Sequence, residues 1–136
     1  FGNKIENNQG IPKQILKDKK LLIACLRGLI DTDGCIGKGG DRLSLVFNSN
    51  CENLMNDIIT IDKKLKLFTY SYKKAIGTDS FPKICDYFNK VGSSNLRHIV
   101  RFLERYTNKK LIYQKEVLNY YDRYKNISIP YKGPVV

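Results

Sequence analysis

The alternation of apolar and polar positions divides the chain into helical and extended segments. Ile11-Pro12-Lys13-Gln14-Ile15-Leu16 reads as a short helix with Pro12 in its first turn, where a missing N–H costs nothing. Leu21, Leu22, Ala24, Cys25, Leu26, Leu29 and Ile30 predict a helix over 19–32 that is apolar on nearly every side. Such a helix is buried all round or held in an interface. Gly34 is expected to end it in the left-handed conformation. A hairpin follows, with Cys35-Ile36-Gly37-Lys38 as the first strand, Gly39-Gly40-Asp41 as the turn and Arg42 to Ser49 as the second strand. Leu43, Leu45 and Phe47 alternate there with Arg42, Ser44, Val46 and Asn48, giving one apolar and one mostly polar face.

Leu54, Ile58, Ile61 and Leu65 predict a helix over 51–65, and the aromatic, β-branched run Leu67 to Tyr72 predicts a strand over 67–74 ending in Lys73-Lys74. A turn at Gly77-Thr78-Asp79 leads to a strand near 81–88, which Pro82 places at an edge or near its start. Ser93 or Ser94 caps a helix whose buried stripe is Leu96, Ile99, Val100 and Leu103. Asn108-Lys109-Lys110 interrupts it, and a last helix covers roughly 111–124. The order predicts an α+β fold, an antiparallel sheet backed by helices on one face. Residues 1–10 read as an arm or linker, 11–124 as the domain and 125–136 as a tail.

Charge sharpens the picture. The 24 Lys and Arg against 13 Asp and Glu give a net +11. An excess of that size points to a polyanionic partner, most often nucleic acid. Residues 1–68 carry 11 basic and 8 acidic residues, or +3, and residues 69–136 carry 13 and 5, or +8. The apolar runs are broken by Arg27 and fall short of the ~20 residues of a membrane span. No stretch joins a basic start, an apolar core and a small-residue cleavage site, so an intracellular setting is expected, cytoplasmic in a prokaryote or organellar. Cys25, Cys35, Cys51 and Cys85 form no Cys-x-x-Cys pair and the one histidine is His98, so zinc is not expected and the thiols read as free. The nine tyrosines and His98 read as packing residues before anything else.

The informative stretch is Leu26-Arg27-Gly28-Leu29-Ile30-Asp31-Thr32-Asp33-Gly34. Ala24 and Gly28 share a helix face, and small residues there let a second helix approach closely. Asp31 and Asp33 stand at the negative end of the helix dipole, where carboxylates are locally unfavourable. Either a divalent cation compensates them or they bond the turn backbone, and the local physics leaves both open. Asp18, Asp31, Asp33, Asp41 and Asp57 concentrate in the first half, which suggests metal binding or, more commonly, helix capping.

The nonamer resembles the signature of the LAGLIDADG homing endonucleases at seven of nine positions, with Arg27 and Thr32 standing where that motif has Ala. The predicted element order is similar to the family's αββαββα unit over residues 11–124. The resemblance implies two units packed through their motif helices, either as a homodimer, the arrangement expected here, or as two halves of one longer protein, with Ala24, Gly28 and Asp31 at or near the contact. It implies a sheet saddle in the DNA major groove. It also implies that Asp33 and the Gly34 or Cys35 carbonyl hold Mg²⁺ (or Mn²⁺) at the scissile phosphates, with Asp31 as a cap or support.

The chemistry agrees, because hydrolysing a phosphodiester needs an activated water and charge neutralisation at phosphate. One Asp per chain is too few to hold metal ions alone, so a second unit and the DNA phosphates must complete the set. The family's lysine near the reacting phosphate maps to Lys109 or Lys110, with Lys38 as the alternative, and its polar water-orienting residue to Asn48, Asn50 or Cys51. Arg42, Ser44 and Asn48 on the polar sheet face, with Lys73, Lys74 and Lys83 on neighbouring strand ends, are the candidate readers of double-stranded DNA. The resulting expectation is a sequence-specific, metal-dependent DNA endonuclease of an intron or intein. The rival is a non-cleaving module of the same fold, an intron maturase or a DNA-binding regulator.

Overall fold

A computed structural model of the chain describes residues 10–39 and 42–107. Helix α1 (Lys13–Leu16) follows Pro12 and precedes the motif helix α2 (Lys19–Asp33). Strands β1 (Gly34–Gly39) and β2 (Arg42–Asn48) form the first hairpin, and helix α3 (Glu52–Leu65) follows. Strands β3 (Tyr70–Tyr72) and β4 (Ala75–Thr78) form the second, followed by α4 (Phe81–Lys90) and α5 (Leu96–Thr107). The four strands make one antiparallel sheet in the order β1-β2-β4-β3. The α+β fold anticipated from the periodicity is the one present.

The alternation in β2 explains which face is covered. Leu43, Leu45 and Phe47 are buried, with Ile36, Ile76 and Thr78 from the neighbouring strands, against the helices. Arg42, Ser44, Val46 and Asn48 point the other way and are exposed or half-buried. The helical side of the core is strongly aromatic, with Phe88 and Phe102 stacked at 4.0 Å between centroids. Deleting one of these rings would cost about 3–5 kcal/mol, the usual range for a fully buried aromatic.

Two segments differ from the expectation. The predicted strand 67–74 is only Tyr70–Tyr72, and Lys73-Lys74 form the turn into β4, which takes in the Gly77-Thr78 expected to be a turn. Gly77 is needed inside the strand because a Cβ there would stand 2.7 Å from the Tyr70 hydroxyl and 2.5 Å from the Leu45 carbonyl. The predicted strand near 81–88 is helix α4, with Pro82 in its first turn. Phe81, Ile84, Cys85 and Phe88 fall at i, i+3, i+4 and i+7 and are all buried, so the 3.6-residue period prevails over the run's strand-like composition.

Smaller differences lie at the helix ends. Gly34 is extended (φ −80°, ψ 169°) and opens β1 directly from the helix. It is glycine because a Cβ would sit 2.6 Å from the Ile30 carbonyl. The cap of α5 is Asn95, whose Oδ1 accepts from the Arg97 and His98 N–H groups, in place of Ser93 or Ser94. In α5 Leu96 is exposed, whereas His98 and Phe102 join the buried set. The predicted helix over 111–124, residues 1–9 of the arm, the tail and Asp41 lie outside the described residues.

Candidate nucleic-acid interface and catalytic carboxylate

Helix α2 begins where the Asp18 carboxylate accepts from the N–H groups of Lys20 and Leu21. It buries Leu22, Leu26, Leu29 and Ile30. Its opposite face runs Leu21, Ala24, Gly28, Thr32, and all four are exposed, Leu21 by 50%. A Cβ at Gly28 would meet nothing within 4 Å. The Thr32 hydroxyl turns back to donate to the Gly28 carbonyl at 2.8 Å. From Ala24 to Thr32 the face is therefore smooth and small, and no described residue covers it. A helix expected to be apolar on nearly every side is thus half core and, among the described residues, half exposed surface.

The two motif acids have different surroundings. The Asp31 carboxylate accepts from the Ser93 hydroxyl at 2.5 Å and the Ser94 N–H at 2.7 Å. Its backbone carbonyl accepts from the Asn95 amide at 2.8 Å. Arg27 adds a long ion pair to Asp31 at 3.9 Å and donates to the Ser94 hydroxyl at 2.6 Å. With Arg27 32% exposed, that pair contributes little on its own, below about 1 kcal/mol. The Arg that replaces the motif's Ala thus braces the turn before α5. Asp33 ends α2, is exposed, and directly precedes β1.

The acids do not gather into one cluster. Asp18 caps α2, Asp57 accepts from the Ile11 N–H at 2.8 Å, and Asp62 accepts from the Leu67 and Phe68 N–H groups. Among the described residues, no group of three or more His, Cys, Asp or Glu side chains could hold a metal ion. A hard cation fits Asp33 and the adjoining backbone oxygens in chemical type, but the described residues of one chain offer too few donors.

Three further residues shape this corner. Arg101 of α5 donates a hydrogen bond to the Ile36 carbonyl and so fixes the β1 strand just past Asp33. His98 is 5% exposed and its Nδ1 has no hydrogen-bond partner among the described residues. Burial holds its pKa below the ordinary 6.5, with Asp31 opposing and Arg101 and Arg97 reinforcing the shift. Cys51, one of three candidates for orienting water, is buried in the core, whereas Asn48 and Asn50 are exposed.

The candidate DNA readers divide. Arg42, Ser44 and Asn48 lie on the outward sheet face and Lys73-Lys74 on the exposed β3–β4 turn. Lys38 stands opposite Leu43 in register. Lys83 does not belong to a strand end. It lies on α4, and its Nζ donates to the Lys66 carbonyl at 2.8 Å, closing the C-terminus of α3. The correction follows from α4 being a helix. Lys109 and Lys110 lie outside the described residues. Tyr70 and Tyr72 were not among the candidates, yet both sit on the outward face, opposite Gly77 and Ala75. The alternation Tyr70-Ser71-Tyr72 carried that signal.

The LAGLIDADG-like domain matches the chain over residues 20–107, from the motif helix through α5. The chain belongs to the LAGLIDADG family. No curated protein and no solved structure matches it. Among the described residues, no helix is long and apolar enough to cross a membrane.

Proposed function

We propose that the protein is a divalent-metal-dependent endonuclease of double-stranded DNA, assembled as a two-fold dimer through α2. The carrying observation is the uncovered Leu21, Ala24, Gly28, Thr32 face with the exposed Asp33 at its end, where the helix meets the sheet. Pairing two such faces brings two Asp33 carboxylates to one end of the helix pair, which supplies the donors a single chain lacks. The bound cation, Mg²⁺ in this reading, supplies charge neutralisation at the phosphate and a water acidic enough to attack.

The chain's own residues hold and orient. Asp33 provides carboxylate oxygens, the Gly34 or Cys35 carbonyl a further one, and Asn48 or Asn50 a polar group for the water. Lys109, Lys110 or Lys38 offers positive charge at the phosphate. The outward sheet face and Lys73-Lys74 bind the duplex, and the +11 net charge favours it.

The scarcity of acidic donors among the described residues favours a second reading, a maturase-like or regulatory binder that does not cleave. The test is incubation of the purified protein with a randomised duplex library and Mg²⁺. Double-strand cuts at a shared sequence support the endonuclease. Tight, sequence-selective binding without cuts under any divalent metal supports the binder.

A further inference from the structure

The outward sheet face is not uniformly polar, and its register gives it an order. Asn48 pairs with Ala75, and Ala75 with Tyr72. Val46 pairs with Cys35 on one side and Gly77 on the other, and Gly77 pairs with Tyr70. Ser44 pairs with Gly37, and Arg42 with Gly39. Gly34 pairs with Phe47, so the Asn48–Ala75–Tyr72 row is the one nearest Asp33 and the Arg42 row the farthest. The two rows nearest the motif acid are therefore mostly apolar. Tyr72 is 67% exposed, its ring 5.5 Å from that of Tyr70, and Tyr70 lies across the bare backbone of Gly77. Lys73 and Lys74 follow at once on the adjoining turn, so the apolar surface is edged by positive charge.

Resting on the endonuclease reading, we infer that the Val46, Ala75 and Tyr72 patch reads thymine methyl groups, and Asn48 the adenine edge, in the half-site segment next to the cleaved bonds. In the major groove the thymine C5-methyl is the one apolar feature that distinguishes a base pair, and Asn is suited to the N6 and N7 of adenine. An exposed aromatic and two small aliphatic groups around one Asn match an A·T pair. They include neither the Arg nor the Lys that guanine favours. Arg42, at the far end, suits guanine in the outer segment.

The patch residues are surface residues, so replacing Tyr72 leaves the core intact. The experiment selects the preferred site from a randomised duplex pool and then replaces inner thymines with deoxyuridine. That substitution removes only the methyl and keeps the pairing. Affinity is expected to fall roughly 4-fold for each methyl that the patch covers, the worth of one buried methylene-sized group. Tyr72→Ser should narrow the affinity gap between the thymine and deoxyuridine sites, leaving only the part that Val46 and Ala75 contribute; an unchanged gap would remove Tyr72 from the patch. Selection of G·C pairs at the inner positions, or equal wild-type affinity for the two sites, overturns the inference while leaving the endonuclease reading intact. Failure to bind any duplex overturns both.

Discussion

Asp31 and Ser93 are joined by a 2.5 Å hydrogen bond that ties the end of the motif helix to the start of α5. With the Ser94 N–H and the Asn95 amide, it anchors the helix two residues before Asp33, while Arg101 holds the β1 backbone three residues after it. The exposed carboxylate thus sits between two fixed points. One motif acid serves the architecture, and the other is left at the surface.

The first prediction concerns that anchor. Asp31→Asn removes the charge from an acceptor of two hydrogen bonds and should lower stability by about 1–3 kcal/mol. Urea denaturation measures it, and unchanged stability would remove Asp31 from its anchoring role.

The second concerns assembly. Within one chain Gly28 faces open space, so Gly28→Leu should not harm the fold and should gain about 0.8–1.0 kcal/mol or less of helix propensity. It should nevertheless convert a dimer to monomers by holding the two helices apart. Sedimentation at several concentrations reads this. A wild type that is monomeric throughout, with and without DNA, would rule out the paired helices.

The third is a pH dependence. The folded pKa of His98 lies below its unfolded value of 6.5, so below pH 6.5 the unfolded chain binds more protons than the native one. The neutral ring's full contribution is present above pH 6.5 and is lost as the pH falls through the folded pKa. His98→Gln should therefore flatten the decline of Tm between about pH 6.5 and pH 5, above the range of ordinary carboxylates. A variant whose decline parallels the wild type would place the titration elsewhere.

The fourth concerns thiols. Cys35 is exposed, whereas burial, with Asp86 adding and Arg105 opposing, pushes the Cys85 thiol up to about 12. The thiolate is the nucleophile, so iodoacetamide should modify Cys35 first and reach Cys51 and Cys85 only on unfolding. Early labelling of Cys85, read by mass spectrometry, would contradict the packing of α4.

The parts legible in the sequence were those where period and chemistry coincide. In β2 a strict two-residue alternation over Arg42–Asn48 gave both the strand and the face that stays outward. The nonamer gave the motif helix and the family, because its glycines and acids have spacing as well as type. The second hairpin was harder, since three-residue β3 is too short to show a period and Gly77 is a strand glycine made necessary by a tyrosine on the neighbouring strand β3. Helix α4 was misread because Phe, Ile, Cys and Tyr are strand-favouring types, although their spacing was helical. Lys83 was lost with it. The Asp31 anchor joins positions 62 residues apart, a relationship local patterning does not carry.

The most direct test of the endonuclease proposal compares the wild type with Asp33→Asn on one selected duplex site in Mg²⁺, measuring cleavage and binding side by side. The variant keeps the size of the side chain and loses the charge that holds the cation. It should bind the site at least as tightly, since a negative charge beside phosphate has gone, and make no double-strand cut. Cleavage by Asp33→Asn at the wild-type rate would contradict the proposal.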